Sequence, residues 1–310
     1  MGPVPDHHDF GRDSSWHLDA RVALDRAADI PCERRRGGVA VRRHRHDGGG
    51  KLFRALKNRT TPSPRVIRRL TVAEKHGACL DPEVSIVLGA AGLDFFFIDT
   101  EHSATAYADI QALCRTARAA NIVPLVRLTQ NDPALISRAL DVGAMGIIVP
   151  HVHSRSQART VVDAVKFPPM GHRGFGLGSI VTDFRNNSAQ EEVESANRET
   201  LVVLMIESAE GLSCLEQISN VGEVDALFVG PYDLPLSLGI LEQFDNPVFW
   251  QAMDRVIKAG EAAGVAVGLQ SSNLSLLVRA REMGARFIMY GSDFAVLLEA
   301  YREAVRRLKA

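Results

Sequence analysis

From about residue 80 onward, the pattern of apolar and polar positions in this chain changes its period again and again. Short continuous apolar runs alternate with longer segments in which apolar residues recur three and four apart. The runs read as strands buried on both faces, and the three-four spacing reads as amphipathic helix. Strands are predicted at Phe95–Asp99, Val123–Arg127, Gly146–Pro150, Leu201–Glu207, Ala226–Val229, Val265–Leu269 and Phe287–Tyr290, with a first strand near His76–Leu80. Helices are predicted at Pro82–Ala91, Ala106–Ala120, Pro133–Val142, Ser156–Val165, Ala209–Ile218, Pro247–Ala263, Leu274–Met283 and Phe294–Leu308, with a polar helix at Ala189–Asn197. Asp132 is a suitable cap for the helix that opens at Pro133. Eight strand–helix units in this order predict an α/β fold, a single-domain (β/α)8 TIM barrel. A doubly wound open sheet fits less well, because no glycine-rich turn follows an early strand to seat a dinucleotide.

The first fifty residues lack this pattern. They hold five of the ten histidines, the run Arg34 to Arg36, the RRHRH of Arg42 to His46 and three successive glycines, Gly48 to Gly50. We read residues 1–50 as a disordered, low-complexity extension, or as the product of a start codon placed too far upstream. The histidine spacings there fit no metal site. An amphipathic segment from Lys51 and a Thr/Pro/Ser connection at Thr60 to Pro64 lead into the barrel domain, 51–310.

Composition narrows the function classes. With 46% hydrophobic residues, 24% charged residues and a net charge of -1, the 310-residue chain has average globular make-up. That charge favours neither nucleic acid nor an anionic membrane as partner. No apolar run approaches the roughly 20 residues that span a bilayer, and the start has no secretory apolar region. Cys32, Cys79, Cys114 and Cys214 lie far apart without a CxxC pair, which suits reduced thiols in the cytoplasm.

In a barrel, chemistry collects at the carboxyl ends of the strands. Here those ends carry Asp99, Glu101 and His102, then Arg127, His151 with His153, Glu207, and Asp233 in GPYDL. Glu207 and Asp233, on neighbouring strands, suit a hard divalent cation completed by water or substrate oxygens. Arg127 offers a fixed positive charge for an enolate or carboxylate. His102, beside the acidic strand end, is the acid/base candidate. The His151-x-His153 pair is read as lining the mouth or a subunit contact rather than as zinc ligands, since no further histidine ends the next two strands. A Schiff-base mechanism needs a strand-end lysine, and only Lys75 lies near one, the uncertain first strand. The GFGLG of Gly174 to Gly178 sits in a long connection and is read as a flexible loop.

The ordered motifs LDFFFIDTEH (93–102), PLVRLTQNDP (124–133), ALDVGAMGIIVPHV (139–152), KFPPMGHRGFG (166–176), MIES (205–208), LFVGPYDLPLSLG (227–239) and FIMYGSD (287–293) resemble the HpcH/HpaI family of class II, pyruvate-dependent aldolases. The resemblance covers about residues 75 to 310. It implies a lyase, an aldolase cleaving a 4-hydroxy-2-oxo acid to pyruvate and an aldehyde through a metal-stabilised enolate. It implies that Glu207 and Asp233 hold Mg2+, Mn2+ or Co2+, that Arg127 stabilises the enolate, and that His102 with Asp141 forms an acid/base dyad. Asp99 supports that site, while Gly230, Tyr232 and Asp233 surround the pyruvate carboxylate. The family also implies a homo-oligomer, typically a hexamer, with the last helix packed on a neighbour. Met205 and Tyr232 depart from the family pattern and bear on the choice of aldehyde. Related readings are a CoA-thioester lyase of the citrate lyase β type, for which no basic cluster near the mouth is found, oxaloacetate decarboxylation, and a non-catalytic paralogue.

Overall fold

The computed structural model describes the backbone of residues 71–76 and residues 80–176 and 187–310 in full, all within the unit His46–Ala310. The expected extension, the segment from Lys51 and the last two residues of the GFGLG loop lie outside the described residues. Eight strands run in chain order: β1 Thr71–His76, β2 Phe95–Asp99, β3 Val123–Arg127, β4 Gly146–Val149, β5 Leu201–Ile206, β6 Ala226–Val229, β7 Ala266–Ser271 and β8 Phe287–Ser292. Each pairs in parallel with the next, and β8 pairs back on β1 with Thr71 opposite Phe287, which closes the barrel. An open doubly wound sheet is thereby excluded. The fold is an α/β structure of the TIM-barrel kind.

The described helices are α1 Val84–Ala90, α2 Tyr107–Ala119, α3 Pro133–Asp141, α4 Arg155–Val165, α5 Ala189–Glu199, α6 Ala209–Ser213, α7 Leu215–Ser219, α8 Asp233–Ser237, α9 Pro247–Ala263, α10 Leu274–Met283 and α11 Asp293–Lys309. Asp132 caps α3 as expected, accepting from the Ala134 amide at 2.7 Å and the Leu135 amide at 3.3 Å. Two expectations need correction, and one helix, α8, was not predicted. The first strand is Thr71–His76 and not His76–Leu80. Its sequence TVAEKH has no apolar run, and it is a strand because β2 and β8 supply ladder partners on both edges, which outweighs local propensity. The segment expected as one helix, Ala209–Ile218, is two short helices that share Cys214 as a cap. α8 is too short to show a helical period, and its Pro235 falls in the first turn, where proline is tolerated.

Two apolar clusters divide the core. The larger lies between the strands and the helices. The smaller fills the barrel with alternate residues of successive strands: Phe95 and Phe97, Val123 and Leu125, Ile148, Leu201, Val203 and Met205, Ala226 and Phe228, Ala266, Phe287 and Met289. Phe95 stacks on Phe287 at 4.2 Å between ring centroids, and Phe228 meets Phe97 and Phe287 edge-on at 6.1 Å. Glycine at 268 is required by the packing, because a Cβ there would lie 1.8 Å from the Phe287 carbonyl oxygen.

Lys166 follows α4 and is fully buried at the amino-terminal end of the barrel. Its Nζ donates to the carbonyls of Asn197 at 2.9 Å and Thr200 at 2.7 Å, tying the end of α4 to the end of α5. It is a structural lysine, far from the strand ends that could carry chemistry. Lys166→Met keeps the apolar stem but strips the charged donor from two buried carbonyls, so urea denaturation is expected to show a loss of about 2–4 kcal/mol. An unchanged midpoint would contradict this role.

Candidate functional site

The inward alternation that builds the apolar interior continues one step further at the carboxyl ends. After Phe95 and Phe97 comes Asp99, and after Val123 and Leu125 comes Arg127. Glu207 follows Val203 and Met205, and Gly230 follows Ala226 and Phe228. The strand pairing places Asp99 directly opposite Arg127. The charged layer therefore rests on an apolar floor.

The side chains of this layer form a continuous chain of contacts. Arg127 donates from Nε to Asp99 Oδ1 at 2.8 Å and from a terminal nitrogen to Oδ2 at 2.7 Å, a bidentate pair. Its other terminal nitrogen lies 3.1 Å from Glu101 Oε2. The second oxygen of Glu101 is 3.2 Å from His151 Nε2, and His151 Nδ1 is 3.1 Å from Glu207 Oε1. Both Asp99 and Arg127 are buried. Burial acts against the guanidinium charge, but the Asp99 hydrogen bonds and the charges of Asp99, Glu101 and Glu207 outweigh it and hold Arg127 above its ordinary range. Three contacts use three of the five guanidinium N–H groups and leave two for a ligand.

Glu207 is a second buried acid of the set. Burial raises its pKa above the usual carboxylate range, and the negative charges of Asp233 and Glu101 push the same way, against the His151 contacts. Asp233 opens α8 and is exposed. A buried carboxylate, raised in part by its acidic neighbours, is a place where a cation lowers the energy. Among the described residues no set of three or more His, Cys, Asp or Glu side chains is placed to hold a metal ion. The pair expected from the sequence, Glu207 and Asp233, fits a hard ion that takes its remaining ligands from water or substrate oxygens.

The other expected residues separate. His102 stands at the mouth with 63% of its side chain exposed, its Nε2 3.8 Å from Glu101 Oε2. Asp141 ends α3 at the opposite, amino-terminal face of the barrel. There its Oδ1 accepts from Arg173 at 2.7 Å, so within this chain Asp141 pairs with Arg173 and not with His102. Helix α3 must run back from the end of β3 to the start of β4, and that connection separates the two. Tyr232 sets its exposed ring edge-on against Phe244 at 5.8 Å. His153 turns to Gln157, whose side-chain oxygen accepts its amide at 2.9 Å. Met205 is part of the apolar floor beneath Glu207. Sequence reasoning left Glu101 without a role and placed His151 only as mouth lining or a subunit contact. The two residues bridge Arg127 to Glu207, and the signal for this was their position just past the carboxyl ends of β2 and β4, which flank β3 and Arg127.

Fold and site together define a class: a parallel α/β barrel with a carboxylate–guanidinium–imidazole chain at its carboxyl mouth, the layout of a barrel enzyme. The chain belongs to the HpcH/HpaI aldolase/citrate lyase family, whose model matches residues 80–300. It is 34% identical over 222 residues to a 2-dehydro-3,6-dideoxy-6-sulfogluconate aldolase of Pseudomonas putida, covering 72% of this chain and 86% of that one. It is 33% identical to a hydroxypyruvate/pyruvate aldolase of Pseudomonas aeruginosa, covering 74% and 85%. Among solved structures it is similar to an HpcH/HpaI aldolase of Desulfitobacterium hafniense, with a TM-score of 0.75, 32% identity and coverage of 78% and 93%.

Gly230 gives this geometry a sharp test, because a Cβ there would lie 2.7 Å from both Cβ and Oε2 of Glu207. Gly230→Ala is expected to lower turnover by tenfold or more, on the order of what a displaced catalytic group costs, in a protein that still folds but with a lowered thermal midpoint. Wild-type turnover in that variant would show that the Glu207 position is not critical.

Proposed function

We propose that the chain is a divalent-metal-dependent aldolase that reversibly cleaves a 4-hydroxy-2-oxo acid to pyruvate and an aldehyde. The observation that carries this reading is Glu207, a buried, inward-facing carboxylate with raised pKa, set across the mouth from the charged Arg127–Asp99 pair. A Mg2+, Mn2+ or Co2+ ion held by Glu207 and Asp233 supplies, when bound, Lewis-acid polarisation of the 2-oxo group. The remaining work falls to the chain's own residues. His102 accepts the proton of the 4-hydroxyl group, the C3–C4 bond breaks, and its electron pair moves into the enol system of the departing pyruvate. The free N–H groups of Arg127 stabilise the negative oxygen. Asp99 holds the guanidinium in place, and the backbone amides of Tyr232 and Asp233 bind the carboxylate. The exposed ring of Tyr232 borders the aldehyde half.

With such substrates, pyruvate release is expected to vanish on EDTA treatment and return with Mg2+, Mn2+ or Co2+. Exchange of pyruvate methyl protons in D2O should fall strongly in His102→Ala. Activity that persists in EDTA, together with a borohydride-trapped pyruvate adduct on Lys75 in β1, would instead support a Schiff-base enzyme.

We further propose a cytoplasmic homo-oligomer. Cys114 is a buried free thiol whose pKa burial pushes up to about 12, and Cys214 is also free, as suits a reducing compartment. Among the described residues no helix is long and apolar enough to cross a membrane. In α11 only Asp293 is buried, while Phe294, Leu297, Leu298, Tyr301 and Leu308 are about half exposed or more. Such an apolar face favours a second copy as its cover. Since Asp141 sits at the far face of its own barrel, its dyad with His102 joins two copies. Light scattering is expected to give a multiple of the 33.8 kDa chain mass, reduced by Leu297→Glu. A monomeric wild type would refute both the assembly and the dyad.

A further inference from the structure

His151 has an unusual backbone for a non-glycine residue, with φ of +56° in the left-handed region. Such a conformation is uncommon, costs on the order of 1–3 kcal/mol, and clusters at functional sites. Here it turns two groups of one residue onto one oxygen. The His151 amide donates to Glu207 Oε1 at 2.6 Å, and its ring Nδ1 lies 3.1 Å from that same oxygen. The far side of the ring, Nε2, is 3.2 Å from Glu101 Oε1, and Glu101 is in turn held by Arg127. The ring is thus anchored on both sides, although 61% of the side chain is exposed. The other oxygen of Glu207, Oε2, lies beside Gly230, close to where a Cβ would stand. Residue 230 leads directly into the loop that carries Asp233.

We propose that His151 is a positioning residue that fixes the rotamer of Glu207, engaging Oε1 so that Oε2 is presented to the cation on the Asp233 side. The role rests on the reading of Glu207 and Asp233 as the metal-holding pair. It assigns work to a residue otherwise read as lining the mouth, and it gives Glu101 a purpose as the outer anchor of the same ring. His151 acts through Glu207 and needs no contact with substrate. Residues that orient a metal ligand typically contribute about tenfold to hundredfold in metal affinity.

Binding of Mn2+ alone to the full chain, followed by the EPR signal of the free ion, tests this. Four proteins are compared: wild type, Glu207→Gln, His151→Gly and His151→Asn. Glycine retains the left-handed backbone and the amide while removing the ring. Asparagine tolerates that backbone and places an amide nitrogen near the position of Nδ1. We expect His151→Gly to bind Mn2+ roughly tenfold to hundredfold more weakly, and His151→Asn to recover most of the loss. Excess Mn2+ should restore most of the aldolase kcat of His151→Gly, which a direct catalytic role would not allow. If His151→Gly fails to fold, as read from its circular dichroism, His151→Ala replaces it with the same expectation. Unchanged or tighter Mn2+ binding without the ring, while Glu207→Gln loses it, overturns the positioning role and leaves the metal reading standing. Wild type that binds no Mn2+, or Glu207→Gln that binds it normally, overturns both.

Discussion

A closed barrel of parallel strands imposes one constraint on every residue it contains: side chains alternate strictly between interior and exterior, so a shift of one position reverses the whole strand. The phenylalanines of β2 occupy the interior at 95 and 97, which commits position 99 to the interior as well. The same rule takes Leu125 to Arg127, Met205 to Glu207 and Phe228 to Gly230. Below this level the interior is apolar and closely packed, and Gly268 is the residue where a backbone crosses too near for any side chain. At this level the interior meets the mouth, and charge becomes tolerable because partners and solvent are both within reach.

Charges so placed must satisfy one another, since an unpaired buried ion costs several kcal/mol. Asp99 and Arg127 solve this directly by a two-point contact. Glu101 extends the pairing to His151, which extends it to Glu207. At the far end the balance fails: Glu207 faces Asp233 and Glu101, and it is driven toward its protonated form by burial and by their charges. That concentration of negative charge is the physical basis for proposing a cation there. The membership of the chain in a family of aldolases and citrate lyases is consistent with such a place.

Much of the fold was legible from periodicity. β2, β3 and β6, together with α9 and α10, have the predicted limits, because their apolar patterns are long or are bounded by clear stops such as Asp99, Arg127 and Pro247. β1 was misplaced because it has no apolar run and owes its form to two neighbours distant in sequence. The break between α6 and α7 at Cys214 left no mark in the apolar spacing. Within the site, residue types at strand ends singled out Asp99, Arg127, His102, Glu207 and Asp233. Which of them touch was not legible, since strand order gives neighbours but not rotamers.

The sequence by itself determined the alternation of strand and helix, the apolar filling of the barrel and the set of polar residues at its mouth. Periodicity and residue type are local properties, and burial follows from them. Only the tertiary structure decided that Glu101 and His151 complete the link from Arg127 to Glu207, and that Asp141 meets Arg173 at the opposite face. It alone revealed the left-handed backbone at His151 that aims its amide and ring at one oxygen. These contacts join residues up to 56 positions apart along the chain. Their geometry depends on barrel closure and on the path of each connecting helix, neither of which any short stretch of sequence encodes.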